Sequence, residues 1–148
     1  MKFTPLLKKS SDTPHLLSIL KREWPEAFKW LSDVIDEWTP NKLPQIVAAY
    51  DKAELVGYYS LVAKELIVDE VEYTPWLGTL FVIKKFRGRG YSPLIIENAC
   101  HRVKKMGYSE LFLATDLKQY YEKYGFEKVG CGNYYWGEQA TFYKKNLE

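Results

Sequence analysis

The segment Arg87-Gly88-Arg89-Gly90-Tyr91-Ser92 has the residue types of an anion-binding turn. Two glycines within three residues let the backbone turn tightly and approach a ligand without interference from a Cβ. An apolar run precedes the turn and a helix-forming stretch follows it. The helix start then presents unpaired N–H groups and the positive end of a dipole, and Pro93 marks that start. Four basic side chains, Lys84, Lys85, Arg87 and Arg89, stand close together with no acid among them. This set suits a pyrophosphate. Hydrogen bonds to charged groups contribute about 1.5–3 kcal/mol each, so several amides and a dipole support micromolar binding. The spacing is not the dinucleotide fingerprint, because G-x-G-x-x-G needs glycine where Pro93 stands, and no P-loop sequence is present.

The elements that must position this turn follow from hydrophobic period and punctuation. The first residues predict a short strand, confined to a sheet edge by Pro5. Asp12-Thr13-Pro14 reads as a helix start with a capping oxygen and a proline, and Leu16, Leu17, Leu20 and Trp24 recur at helical spacing. Pro25 opens a second helix carrying Phe28, Leu31, Val34, Ile35 and Trp38. After a proline-rich loop the period becomes that of strands. Ile46–Tyr50 and Leu55–Ala63 form a hairpin about Asp51-Lys52-Ala53-Glu54. An acidic connection, Asp69-Glu70-Val71-Glu72, leads to a central strand from Trp76 to Ile83. A helix from Ser92 to Met106 buries Ile95, Ile96, Ala99, Cys100, Val103 and Met106 and stops at Gly107. The strand Leu111–Ala114 then runs parallel to the central one. A brief helix from Leu117 to Tyr124 and two last strands, near Phe126–Val129 and Ala140–Lys144, complete the chain. The fold class is α/β with a mixed sheet.

Composition bounds the function. The 148 residues are 47% hydrophobic and 27% charged, which suits one globular domain over residues 1–148. A balance of 21 basic against 19 acidic side chains argues against a general polyanion binder, so no nucleic-acid partner is expected. No apolar run is long enough to span a membrane. The first residues lack a signal-peptide segment, and the expectation is a cytoplasmic protein. Cys100 and Cys131 lack the partners of a disulfide framework or zinc site, and His15 and His101 are isolated, so no metal is expected. The two cysteines read as structural.

The run Leu80-Phe81-Val82-Ile83-Lys84-Lys85-Phe86-Arg87-Gly88-Arg89-Gly90-Tyr91-Ser92 resembles motif A of the GNAT superfamily, the acetyl-CoA-dependent N-acetyltransferases, written [RQ]-x-x-G-x-[GA]. Arg87 and Gly90 match, and Ser92 stands where Gly or Ala is usual. Tyr120-Tyr121-Glu122-Lys123-Tyr124-Gly125-Phe126 resembles that family's second segment, fYEKxGF. The motif-level resemblance covers about residues 76–130. It implies a GNAT fold: a mixed, mostly antiparallel sheet flanked by helices, with a splayed parallel strand pair.

The resemblance also implies roles. Backbone amides from Arg87 through Gly88, Arg89, Gly90 and Tyr91 to Ser92 hold the pyrophosphate of acetyl-CoA. The strand segment Leu80-Phe81-Val82 lies along the pantetheine arm, through the amides of Leu80 and Val82. Tyr121 matches the tyrosine that protonates the departing thiolate. Ala114 stands where the family often has Asn, with Asp116 the nearest polar side chain. The implied reaction is direct attack of a primary amine, of a small molecule or a peptide, through a tetrahedral intermediate. The amine must first lose a proton; Asp69, Glu70 and Glu72, clustered before the central strand, read either as a solvated acidic loop or as the place where Glu72 or Glu70 relays that proton or attracts a cationic substrate. Trp24, Trp30, Trp38, Tyr58 and Tyr59 read as core rings or as the lining of an acceptor pocket. Two other readings remain open: a catalytically silent acyl-CoA sensor, and an RNA-binding loop, against which the near-neutral charge counts. A homodimer is open too, with Tyr134, Tyr135 and Trp136 available to it.

Overall fold

Alternating apolar residues, β-branched runs and proline or glycine punctuation produce the strands and helices of this chain in the order the sequence predicts. A computed structural model describes residues 1–148. The strands are β1 (Lys2–Leu6), β2 (Gln45–Asp51), β3 (Glu54–Val62), β4 (Trp76–Val82), β5 (Glu110–Thr115), β6 (Glu127–Asn133) and β7 (Gln139–Asn146). The helices are α1 (Thr13–Glu23), α2 (Pro25–Asp33) and α3 (Tyr91–Lys105). Strand order is β1-β2-β3-β4-β5-β7-β6 in a seven-stranded sheet. β1 pairs antiparallel with β2, β7 antiparallel with both β5 and β6, and β4 parallel with β5 at Trp76↔Phe112. The predicted mixed sheet with a parallel pair is the one observed. The chain divides into two compact units, Met1–Ser60 with Thr79–Ile95, and Leu61–Gly78 with Ile96–Glu148.

In the first unit, Pro5 sits on edge strand β1 opposite Val47, where its missing N–H breaks no ladder. α1 starts at Thr13 with a proline in its first turn, but Asp12 does not cap it. Its carboxylate instead accepts the Tyr50 hydroxyl at 2.6 Å, while the Thr13 hydroxyl donates to the Leu7 carbonyl at 2.6 Å. Leu16 and Leu20 are fully buried, each contributing about 1.5–3 kcal/mol. α2 ends at Asp33, short of the predicted helix, and one 3-10 turn at Ile35–Glu37 follows before the buried Trp38. The β2–β3 hairpin turns through Lys52 and Ala53, both at positive φ, the conformation of a two-residue hairpin turn. A methyl group on Gly57 of β3 would overlap the Phe81 carbonyl of β4, so glycine is required where the two backbones close.

The second unit is built around Trp76, 1% exposed, whose Nε1 donates to the Tyr73 carbonyl at 2.7 Å. Tyr73 stacks on Phe112 at 4.5 Å, and Trp76 meets Phe142 edge-on at 5.8 Å. Residues 66–69 lie against the end of β6. Ile67 bridges Tyr134, Val68 N–H donates to Asn133 O, and Tyr135 N–H donates to Leu66 O. The predicted helix from Leu117 to Tyr124 is only a 3-10 turn, Tyr121–Tyr124. Gln119 adopts a φ of 57°, which a helix cannot contain, and the Thr115 hydroxyl takes the Leu117 amide.

Candidate active site

In the first unit, β4 ends at Val82 and a 3-10 turn, Lys84–Phe86, leads into Arg87-Gly88-Arg89-Gly90 before α3 begins. Gly88 and Gly90 have φ of 80° and 78°, which L side chains rarely adopt, and nothing stands within 4 Å of the space a Cβ would fill on either. The glycines therefore serve conformation and leave open space over the backbone. The amides of Gly88, Arg89 and Gly90 donate to no backbone carbonyl, whereas the Arg87 amide donates to Lys84 O at 3.3 Å. Arg87 N–H, predicted as part of the anion cradle, is thus already engaged.

The Arg87 side chain folds back instead of reaching outward. Its Nε donates to Val82 O at 2.9 Å and its guanidinium lies 5.4 Å from the Phe81 ring centre. Phe81 is buried against Trp24 at 5.9 Å and Tyr58 at 6.2 Å, so Arg87 ties the turn to the core through this ring stack. Arg89 and Lys85 lie over Phe86 at 5.5 and 5.0 Å. The Lys84 amide donates to Glu23 Oε1 at 2.8 Å, and the Tyr91 hydroxyl donates to Asp51 Oδ2 at 2.6 Å, which raises the phenol's pKa. Leu80 and Ser92 are half-buried and Val82 is buried. A cavity of about 600 Å³ shares Lys84 and Lys85 but is otherwise lined by residues such as His15, Glu23, Glu54 and Phe86, and does not contain the glycines.

In the second unit, Tyr121 heads its 3-10 turn, half-buried, edge-on to Tyr120 at 4.9 Å and to Phe126 at 5.8 Å. Gly125, at φ 87°, ends that turn. The turn is fixed to β7 by the Tyr143 hydroxyl donating to Glu122 Oε2 at 3.0 Å and by Lys145 Nζ donating to Tyr124 O at 2.8 Å. Burial, with smaller contributions from Tyr120 and Tyr124, pushes the Tyr121 phenol up to about 12. It therefore keeps its proton at neutral pH. Transfer to a thiolate, with a reference pKa near 8.5, is uphill by about three units, so a donated hydrogen bond suits this phenol better than completed transfer.

The acidic connection separates into different environments. Asp69 Oδ2 accepts the Asn133 amide at 2.9 Å and pins residues 66–69 to β6. Glu70 and Glu72 are exposed. Glu65 is only partly exposed, and burial pushes its carboxyl up to about 7. Sequence reading missed Glu65 because nothing local marks it; the signal arises from chain packed over it. Tyr134 is its counterpart on the turn after β6. Its phenol is raised by burial and then by Glu65, Asp116, Tyr121 and Glu138, in that order, and it stacks on Trp136 at 4.4 Å. Asp116 itself is exposed.

Tyr58 and Tyr59 are core residues, while Trp24 and Trp30 are half-buried and His15 and His101 exposed. Burial raises the Cys100 thiol, which makes it a poorer nucleophile, and Cys131 is exposed on β6. No group of three or more His, Cys, Asp or Glu side chains is placed to hold a metal. No helix is long and apolar enough to cross a membrane.

Comparison with known proteins adds to this geometry. The model of the acetyltransferase (GNAT) family matches residues 13–126. No curated protein matches the chain. Among solved structures, an aminoglycoside 6'-acetyltransferase type Ii is similar with a TM-score of 0.75 and 22% identity, over 100% of this chain and 98% of that one. An aminoglycoside 6'-N-acetyltransferase complexed with coenzyme A has a TM-score of 0.74 at 18% identity, over 100% and 98%. A GNAT family acetyltransferase from Elizabethkingia anophelis with acetyl-CoA bound has 0.69 at 14%, over 99% and 97%. At such identities the structural likeness is one of fold, and the family model carries the assignment. With a matched segment that contains both the glycine turn and Tyr121, the chain belongs to the acetyltransferase (GNAT) family.

Proposed function

We propose that this chain, residues 1–148 acting as one N-acetyltransferase domain, moves an acetyl group from acetyl-CoA to a primary amine by direct attack, without an acyl-enzyme. The observation that carries the reading is the glycine turn: successive amides at Gly88, Arg89 and Gly90 with no backbone acceptor, at positive φ where needed, beside Lys84, Lys85 and Arg89. These residues fit a pyrophosphate, with the amides of Tyr91 and Ser92 at the start of α3 extending the cradle. In this reading Arg87 holds the turn in shape, and Leu80, Phe81 and Val82 run beside the pantetheine arm. The donor supplies an activated acyl group.

The chain's own groups have two tasks. Tyr121 donates a hydrogen bond to the departing sulfur. Glu70 and Glu72, exposed on one segment, attract a cationic amine. Cys100, half-buried and with its thiol pKa raised by burial, takes no part, which leaves the route to direct transfer. The likeness to aminoglycoside 6'-acetyltransferases among the structural neighbours supports trying small polyamines first as acceptors.

The test is calorimetric titration with acetyl-CoA, coenzyme A and 3′-dephospho-coenzyme A, followed by thiol release with kanamycin, spermidine and a peptide bearing a free N-terminus. Micromolar donor binding with turnover of an amine is expected; absence of binding at millimolar acetyl-CoA overturns the reading. Donor binding without turnover of any amine would favour a sensor.

A further inference from the structure

We propose that Glu65 is the group that takes the proton from the acceptor ammonium. The inference rests on the reading of this chain as an amine acetyltransferase and names a residue that the acidic run Asp69–Glu72 does not contain.

The segment that carries Glu65 is held in place. Leu66 O accepts the Tyr135 amide, Ile67 bridges Tyr134, Val68 N–H reaches Asn133 O, and Asp69 accepts the Asn133 amide. Four successive residues are thereby clamped to the end of β6. Glu65 Oε1 accepts the Leu66 amide at 2.8 Å, and the carboxyl takes part in no ion pair. The other acids of this unit with bonded carboxylates have structural partners: Glu110 has Lys144, Glu122 has Tyr143 and Asp69 has Asn133.

The groups around it are Tyr134 on the turn after β6 and, about that same phenol, Asp116 after β5, Tyr121 at the head of its 3-10 turn and Glu138 before β7. No cation is among them. An incoming ammonium would supply the missing positive charge, and the Tyr134–Trp136 stack offers a ring face to it. Glu70 and Glu72, by contrast, are in water.

The proton chemistry agrees. A primary ammonium has a pKa near that of lysine, about 10, so an ordinary carboxylate is about six units too weak a base. Burial brings Glu65 to about 7, which halves the gap and leaves the group titrating at the working pH. In the step, the Glu65 carboxylate accepts one proton from R–NH3⁺ and becomes a neutral carboxyl. The freed lone pair forms the C–N bond at the thioester carbonyl carbon, whose π pair moves to oxygen. Collapse of that tetrahedral intermediate restores the carbonyl and breaks the C–S bond, its electron pair leaving on sulfur. The nitrogen's second proton ends on that thiolate, and Glu65 returns its own to solvent. One proton is released per turnover.

The experiment uses the full chain as wild type, Glu65→Gln and Glu65→Asp, with acetyl-CoA and the best of kanamycin, spermidine and the peptide amine. Measured are kcat/KM for the amine across pH, acetyl-CoA affinity by calorimetry, and the carbon-13 resonances of the glutamate carboxyls. The expected wild-type profile rises through a limb near pH 7. Glu65→Gln loses that limb and about 100-fold in kcat/KM, with acetyl-CoA affinity within about twofold, and Glu65→Asp keeps the limb. One glutamate resonance titrates near 7 and vanishes in Glu65→Gln. Equal profiles in wild type and Glu65→Gln overturn the proposal, as does the absence of that resonance or a pH-independent loss accompanied by weaker donor binding. A wild type that binds acetyl-CoA but acetylates none of these amines fails the underlying reading, whatever Glu65 does.

Discussion

The glycine turn at residues 84–92 and the cluster around Tyr134 are built on opposite principles. The turn is one continuous stretch whose proposed working parts are backbone amides, and its shape is set by two left-handed glycines, one 3-10 turn and the Arg87–Val82 bond. The cluster draws side chains from Glu65, Asp116, Tyr121, Tyr134 and Glu138, each on a different segment. A backbone site needs only local dihedral freedom, so its parts survive as a short motif. A side-chain site needs convergence, and its chemistry comes from burial supplied by distant chain.

That comparison makes variants separable. The largest effect is expected from Tyr121→Phe, which removes the hydroxyl proposed to donate to the departing sulfur: kcat falls about 100-fold at all pH values while acetyl-CoA affinity holds. A change in donor affinity instead would place Tyr121 with the turn's function. Next comes Gly57→Ala, which affects the scaffold. The added methyl overlaps the Phe81 carbonyl, a clash costing about 1–3 kcal/mol, and thermal unfolding should drop by several degrees with the pH limb near 7 retained.

Gly90→Ala tests the turn. Holding alanine at φ 78° costs about 1–2 kcal/mol, so acetyl-CoA affinity falls about tenfold with little change in the pH profile. A tenfold loss in kcat at saturating donor would instead break the division of labour.

The smallest effect is on stability against pH. The Glu65 carboxyl is raised in the folded state, so the fold favours its neutral form. The associated stability is fully present below the unfolded pKa, near 4.5, and is lost as pH rises through about 7. Glu65→Gln cannot ionise. Its unfolding temperature should match wild type near pH 4.5 and exceed it modestly at pH 8, read by calorimetry; equality at both would deny that the carboxyl is buried at all.

Legibility from sequence followed the same division. Pro5 on an edge strand, the β2–β3 hairpin, the stop of α3 at Gly107 and the glycine turn were readable, because each depends on the conformational limits of one or two residues. Local signals failed where a distant partner competed. Asp12 reads as a helix cap, yet Tyr50, far along the chain, takes its carboxylate. Leu117–Tyr124 has helical spacing, yet Gln119 turns left-handed and the segment keeps a single turn. Arg87 reads as an anion contact, yet its amide and Nε are held by Lys84 O and Val82 O.

The residue types and order alone determined the mixed α/β fold, the glycine turn and the family, because patterning and backbone freedom are properties of neighbouring residues. Tertiary structure alone decided which carboxylate is drawn out of water. Glu65, Glu70 and Glu72 are chemically the same acid in the sequence; they differ in how much chain is folded over each, Glu70 and Glu72 being exposed, and burial raises the Glu65 carboxyl.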